Sequence, residues 1–117
     1  MAIEAALRPR TEIQAAADNV TANREIYRQH PKASRHIPRV DGELAALEWV
    51  LGLADQSPVT ASAGADVTVR EELDRERRAA TDMLYGRIPA HRAGAMYISG
   101  VEETLMWILD ESDNEPF

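Results

Sequence analysis

The stretch GELAALEWVLGLADQSP at residues 42–58 recurs in altered form as GVEETLMWILDESDNEP at residues 100–116. An offset of 58 residues (100 minus 42) aligns identical residues in the two segments, including Trp49 with Trp107, which are both tryptophans of the chain. An internal repeat indicates how many structural units a fold contains. The sequence therefore predicts two copies of one structural unit.

The bulk composition is that of a single globular domain. The chain has 117 residues, of which 44% are hydrophobic and 28% are charged, and it should bury roughly two-thirds of its unfolded surface. No apolar run approaches the roughly 18 residues of a membrane span, and the start MAIEAALRPR lacks the charge order of a signal peptide. Because cysteine is absent, disulfides and thiol nucleophiles are excluded. We expect one domain, residues 1–117, in the cytoplasm.

Each copy is predicted to contain a charged outer helix, a proline-bearing connection and a more apolar inner helix. Apolar residues recur at the helical period in the first outer helix: Ile13, Ala16, Ala17, Val20 and Tyr27. The repeats span about residues 10–58 and about residues 68–116, and a flexible linker at about residues 55–67 joins them. The expected fold is all-α, a duplicated helical hairpin that forms a four-helix bundle with approximate two-fold pseudo-symmetry and central inner helices.

Capping patterns predict where these helices begin. A Ser or Thr followed three residues later by Glu or Gln is typical of a helix N-terminus, and Asp is also a favourable N-cap. These patterns predict four N-cap residues: Thr11, Asp41, Thr68 and Ser99. The fourth helix is predicted to end near Ser112.

The charge distribution limits the classes of partner. The net charge is −7, and residues 41–69 and 93–117 contain five and six acidic side chains, respectively, with no basic ones. Binding to the nucleic-acid backbone is therefore unfavourable, because that binding needs clustered Lys and Arg. The acidic segments leave one alternative open, that the protein mimics nucleic acid and blocks a DNA-binding enzyme.

The connection HPKASRHIPRVD at residues 30–41 concentrates basic side chains. With neighbouring positions it gives a candidate anion or electrostatic site of five residues: Arg28, Lys32, Arg35, Arg39 and Arg92. Paired arginines bind phosphate or carboxylate groups through charge-assisted hydrogen bonds. The alternative, which we favour, is that the basic connections face acidic helix ends of the other copy or of a second subunit.

Catalytic patterns are weak in this sequence. His30 and His36 do not match a metal-ligand spacing such as HExxH, and neither a GxSxG nor a GxxxxGK motif is present. The acidic helices are distantly similar to those of all-helical nucleotide pyrophosphohydrolases, but Leu105 and Met106 follow Glu102 and Glu103 where another carboxylate is needed. We therefore predict no catalytic residue, metal site or cofactor. A phosphate-binding protein, or a nucleotide-hydrolysing enzyme, remains the alternative.

Apolar side chains lie off the main stripes of the two inner helices and form a candidate interface: Trp49, Leu53, Met106 and Trp107. Tryptophan is enriched among the residues that dominate binding energy at protein interfaces. Large rings also fill the space between packed hairpins, so a core role remains open. If the flank is exposed, a homodimer or a partner helix is expected to cover it.

The segment RHIPRVDGELAALEWVLGLADQSPVT, residues 35–60, resembles small helical proteins of actinobacteria and their bacteriophages. The resemblance implies a small accessory protein and transfers no functional residue. Together with the composition it favours a non-enzymatic module that binds a protein or itself. Such a module would be a structural or assembly component of a phage, or an inhibitor of a host or defence protein in the host cytoplasm.

Overall fold

The computed structural model describes residues 8–60, 70–89, 91–111 and 115–116. Within these residues the chain forms four α-helices and one short 3₁₀-helix, and none of them belongs to a β-strand. The α-helices are α1 (Arg10–Gln29), α2 (Ile37–Val50), α3 (Arg70–Leu84) and α4 (Ala95–Ile108), and the 3₁₀-helix (Pro31–His36) connects α1 to α2. The prediction of an all-helical protein is confirmed.

The two apolar helices, α2 and α4, form the most extensive helix contact, while α1 packs on α2 and α3 packs on α4. This arrangement is compatible with a helical bundle. The apolar stripe predicted for α1 is confirmed, since four of its members are buried: Ile13, Ala16, Ala17 and Val20. The core of the inner helices includes Leu47, Val101, Leu105 and Ile108, none of which is exposed.

Two glycines lie where α2 and α4 cross. A Cβ atom on Gly42 would overlap the backbone carbonyl of Tyr97, and a Cβ atom on Gly100 would overlap the backbone carbonyl of Arg39. The missing side chains therefore let the two backbones approach each other directly. The contacts are reciprocal, because the 58-residue offset relates Gly42 to Gly100 and Arg39 to Tyr97.

The predicted helix starts need correction. Thr11 already lies inside α1, which begins at Arg10 after Pro9 without a side-chain cap. Asp41 lies within α2, which begins four residues earlier because Pro38 is tolerated in a first helical turn, and Asp41 instead accepts a hydrogen bond from Arg24 (2.6 Å). Ser99 lies within α4, which begins after Gly94. Thr68, and Ser112 at the predicted end of the fourth helix, lie outside the described residues.

The C-terminal ends of α2 and α4 have the same hydrogen-bond pattern. Gly52 N–H donates to the carbonyl of Trp49 (3.1 Å), and the next N–H donates to the carbonyl of Glu48 (2.8 Å). Asp110 N–H donates to the carbonyl of Trp107 (3.0 Å), and the next N–H donates to that of Met106 (2.8 Å). These are Schellman motifs, which need a positive φ, observed here as 80° at Gly52 and 61° at Asp110.

Residues 57–60 differ from the expected flexible linker. Ser57 and Val59 are buried, and the Val59 and Thr60 N–H groups both donate to the carboxylate of Glu76 in α3. The phenol of Tyr97 donates to the carbonyl of Pro58 (3.2 Å). This part of the segment is therefore packed against α3 and α4, while residues 61–69 lie outside the described part of the chain.

The C-terminal ends of both inner helices lie near the start of α1. Arg8 N–H donates to the carbonyl of Ile108 (2.9 Å), and the Arg10 guanidinium, two residues later, donates to the carbonyl of Leu51 (3.0 Å). The two connections lead into the N-terminal ends of these helices, about five residues, or about 8 Å of helix, before the crossing glycines. We call this second region the connection end: residues 25–36, 82–89 and 91–96.

Candidate functional site

Both tryptophans of the candidate interface lie in the core. Trp49 and Trp107 are each 3% exposed, and the Arg8 guanidinium lies 5.0 Å from the centre of the Trp107 ring. Their burial favours the core interpretation of the sequence pattern. Of the remaining two candidates, Met106 is half-buried and Leu53 is 69% exposed just beyond the end of α2. Among the four candidate interface residues, Leu53 therefore provides most of the surface that a partner could contact.

The five basic candidates separate into two groups. Arg39 is half-buried in α2 and forms an ion pair with Glu103 in α4. Arg28 is exposed and lies 3.8 Å from Glu25. The other three are exposed at the connection end: Lys32, Arg35 and Arg92. Arg39 thus joins the two inner helices, while the other four contribute positive charge to the surface.

The acidic end of α4 is paired with arginines, although not with those of the basic connections. Asp110 lies 3.2 Å from the Arg8 guanidinium. Glu111 lies 3.7 Å from Arg70 and 4.0 Å from Arg77 of α3. The observed partners of this helix end are therefore Arg8, Arg70 and Arg77, and the prediction that the basic connections face acidic helix ends of the other copy or of a second subunit stays a prediction. These pairs also reduce the negative field that a nucleic-acid mimic would present.

Glu76 is a buried carboxylate that the sequence prediction missed. It is 3% exposed, and its Oε2 atom accepts hydrogen bonds from the N–H groups of Val59 (2.5 Å) and Thr60 (3.0 Å), while its Oε1 atom accepts one from the Thr60 hydroxyl (2.7 Å). The signal was present in the spacing, because Glu76 follows the buried Leu73 by three residues on the same face of α3. This carboxylate fastens residues 59–60 to α3.

Tyr97, near the start of α4, contacts both the second connection and the segment at residues 57–60. Its ring stacks on His91 with centroids 5.4 Å apart, and its phenol donates to the carbonyl of Pro58. Burial raises the pKa of the Tyr97 phenol, and the negative charges of Glu76 and Asp41 raise it further. The influence of Asp41 is consistent with the start of α4 lying close to α2.

Glu102 and Glu103, the acidic pair of α4, each bind a side chain of another helix. Glu102 accepts a hydrogen bond from the Thr81 hydroxyl, and Glu103 pairs with Arg39. Glu71 lines a shallow surface depression with Asp74 and two arginines of α3. In the described ranges, no group of three or more His, Asp or Glu side chains is arranged to hold a metal ion.

Large apolar side chains remain exposed at the connection end, where sequence reasoning did not place an interface. Tyr85 is 72% exposed, Ile26 51%, Met96 47% and Ile88 38%. The sequence indicates this exposure only indirectly. A helical pattern shows that Ile26 and Met96 lie off the main apolar stripes, but it does not show whether another segment covers them. Apolar and cationic side chains therefore share this end of the molecule.

Comparisons with protein-family models, with curated proteins and with solved structures find no match to this chain. Among the described helices, none is long and apolar enough to cross a membrane. Function is therefore inferred from the chemistry of the described surface.

Proposed function

We propose that this chain is a small acidic, non-enzymatic helical module that binds another protein or a second copy of itself. The observation that carries the proposal is the set of large apolar side chains that stay exposed while the core is filled. Leu53, Tyr85 and Ile26 each expose more than half of their surface. Burying such side chains against a partner contributes roughly 25 cal/mol per Å² of apolar area, so this surface favours association.

The contacts of the polar groups support a non-enzymatic role. A catalytic site needs an acid, base or nucleophile that can reach a substrate. Glu76 instead holds residues 59–60, Glu103 pairs with Arg39, and Glu102 accepts a bond from Thr81. Each of these carboxylates binds another part of the chain. This structural role explains their presence without a catalytic role.

We also propose that the two hairpins, α1–α2 and α3–α4, are copies of one unit related by approximate two-fold symmetry. Support comes from the reciprocal glycines of the crossing and from the matching Schellman motifs. A third correspondence lies at the helix ends, where Arg10 of α1 donates to the carbonyl of Leu51 and Arg70 of α3 donates to that of Leu109 (both 3.0 Å). Leu51 and Leu109 are 58 residues apart, which is the offset of the sequence repeat.

The resemblance of residues 35–60 supports the proposal that this module is a small accessory protein of actinobacteria or their phages. In that setting, it would act as a structural or assembly component, or as an inhibitor of a host or defence protein in the host cytoplasm. Both roles use a protein-binding surface and need no cofactor.

Light scattering after size-exclusion chromatography tests self-association, and affinity capture from the source cell tests binding to another protein. Wild type is compared with Leu53→Ser, Tyr85→Ser and Ile26→Ser, which remove exposed apolar groups without disturbing the core. We expect at least one of these changes to abolish a dimer or a defined captured protein. A chain that stays monomeric and captures the same proteins in all four forms would contradict the proposal.

The phosphate-binding alternative is tested by Arg35→Ala and Lys32→Ala, because Arg39 already pairs with Glu103. This alternative is favoured if the wild type binds inorganic phosphate or a nucleotide, and if each change abolishes that binding without altering the oligomeric state.

A further inference from the structure

We infer that the connection end binds an acidic protein segment that carries aliphatic side chains. This inference rests on the proposed function and names the partner chemistry and the surface. The connection end joins two features that occur together in the described structure, a local excess of positive charge and uncovered apolar side chains.

The positive charge of the connection end opposes that of the whole molecule. Its charged side chains are five cations, Arg28, Lys32, Arg35, Arg87 and Arg92, and two acids, Glu25 and Asp82, which give a formal charge of +3 in a chain of −7. All five cations are exposed. A partner with negative charge is therefore attracted to this end and repelled by the rest of the surface, which orients the encounter.

The two connections are linked through the crossing of α2 and α4. Arg24, five residues before the end of α1, donates to Asp41 in α2 (2.6 Å), and the neighbouring Gly42 packs so closely that an added Cβ atom would overlap the backbone of Tyr97 in α4. Tyr97 in turn stacks on His91 of the second connection. A single partner segment can therefore contact both connections.

The uncovered side chains at this end are mainly aliphatic. Ile26, Ile88 and Met96 have no ring on which a nucleic-acid base could stack, and single-strand binding relies on such stacking. Tyr85 is aromatic, but the Arg87 guanidinium lies 5.3 Å from its ring centre. With the net charge of −7, these features favour a protein over a nucleic acid as the partner.

A second copy of this chain does not fit the same surface. In a symmetric dimer each connection end would face its own copy, which would place the exposed cations of both copies opposite like charges. An acidic segment of another protein avoids this repulsion and pairs with the cations. Its aliphatic side chains cover Ile26 and Met96.

Binding of a labelled synthetic peptide of alternating acidic and aliphatic residues to the full chain, followed by fluorescence anisotropy, tests the inference. We expect Lys32→Glu with Arg35→Glu to weaken binding by at least about fivefold at low salt, and added salt to weaken the wild type similarly. Ile26→Ser with Met96→Ser should also weaken binding several-fold by removing buried apolar contact.

Matched controls lie away from the connection end. Ala15→Ser changes an exposed small side chain in the first half of α1, and Arg75→Glu reverses an exposed cation in the middle of α3. Both controls should bind the peptide as the wild type does. Circular dichroism of every variant shows whether its helix content is retained.

Three outcomes would overturn the inference. A peptide with serine in place of the aliphatic residues that binds equally well would indicate a simple anion site. An oligothymidylate that binds more tightly than the peptide would indicate nucleic acid. Absence of binding by the acidic aliphatic peptide at any concentration would exclude the assigned surface chemistry. If the chain forms a dimer that Leu53→Ser abolishes but the acidic aliphatic peptide does not bind, the proposed function stands while this inference fails.

Discussion

At the scale of the residue, glycine determines how closely α2 and α4 approach. Replacing glycine by alanine inside a helix normally stabilises it by about 0.5–1 kcal/mol. We predict the opposite for Gly42→Ala and Gly100→Ala, because each new Cβ atom would overlap a backbone carbonyl of the facing helix. Each change should lower the free energy of unfolding by about 1–3 kcal/mol, measured by urea denaturation.

Gly52→Ala is the control for this prediction. Gly52 has a φ of 80° and nothing within 4 Å of an added Cβ atom, so its replacement brings backbone strain but no helix overlap. The crossing variants should therefore alter the near-ultraviolet spectrum of the packed tryptophans, whereas Gly52→Ala should leave it unchanged. Stabilisation by Gly42→Ala would contradict the close crossing.

Tyr97 predicts a loss of stability at alkaline pH. Burial, with the charges of Glu76 and Asp41, raises the pKa of its phenol in the folded protein. The unfolded chain then loses this proton first, near pH 10, so stability is complete below that pH and falls as the pH rises towards the folded pKa. Tyr97→Phe should remove this part of the decline, as measured by urea unfolding over a pH series. The prediction is contradicted if the free energy of unfolding falls with pH equally steeply in wild type and variant above about pH 10.

At the scale of the element, Arg39 joins α2 to α4 through Glu103. Both side chains are partly exposed, at 34% and 42%, so we expect a coupling of about 0.2–1 kcal/mol in a double-mutant cycle of Arg39→Ala and Glu103→Ala. Arg35→Ala, four residues earlier and exposed, should leave the free energy of unfolding within about 0.5 kcal/mol of the wild type. A coupling near zero would mean that solvent screens the pair.

The periodicity of apolar residues predicted the elements well but not where they begin. Ile13, Ala16 and Val20 were placed on the buried face of α1 because burial on one face imposes a 3.6-residue spacing. The side chain of Asp41 suits an N-cap, so the local sequence predicts a helix start at this residue. Pro38 let α2 begin earlier, and Asp41 was free to pair with Arg24 from another helix. A cap predicted from local sequence cannot account for such a tertiary partner.

The candidate site was harder to predict for a related reason. A helical pattern shows which side chains leave the main stripe, but not which other segment covers them. The sequence pattern places Trp107 off the main apolar stripe of α4, yet the guanidinium of Arg8, from a remote part of the chain, lies over its ring. Ile26 and Met96 are single apolar residues that form no pattern in the sequence, and only the fold shows that no described residue buries them.

At the scale of the whole molecule, the core is shared between the two hairpins. The main contact joins α2 of the first to α4 of the second, and the N–H groups of Val59 and Thr60 bind Glu76 across the same division. Neither hairpin can therefore bury its inner helix by itself. Isolated pieces of about 60 residues or fewer are also marginal on size alone.

This division predicts that the hairpins fold only together. Cutting the chain between residues 64 and 65 should give two fragments of low helicity, because each exposes the apolar face that packs α2 on α4. An equimolar mixture should regain helix content, as well as the near-ultraviolet signal of Trp49 and Trp107, by circular dichroism. A second fragment that carries Gly100→Ala should restore much less of both signals, because the crossing is blocked. If either fragment is fully helical and monomeric by light scattering, the core is not shared in this way. If a single fragment self-associates into a helical dimer, one hairpin can substitute for the other, as expected for duplicated units.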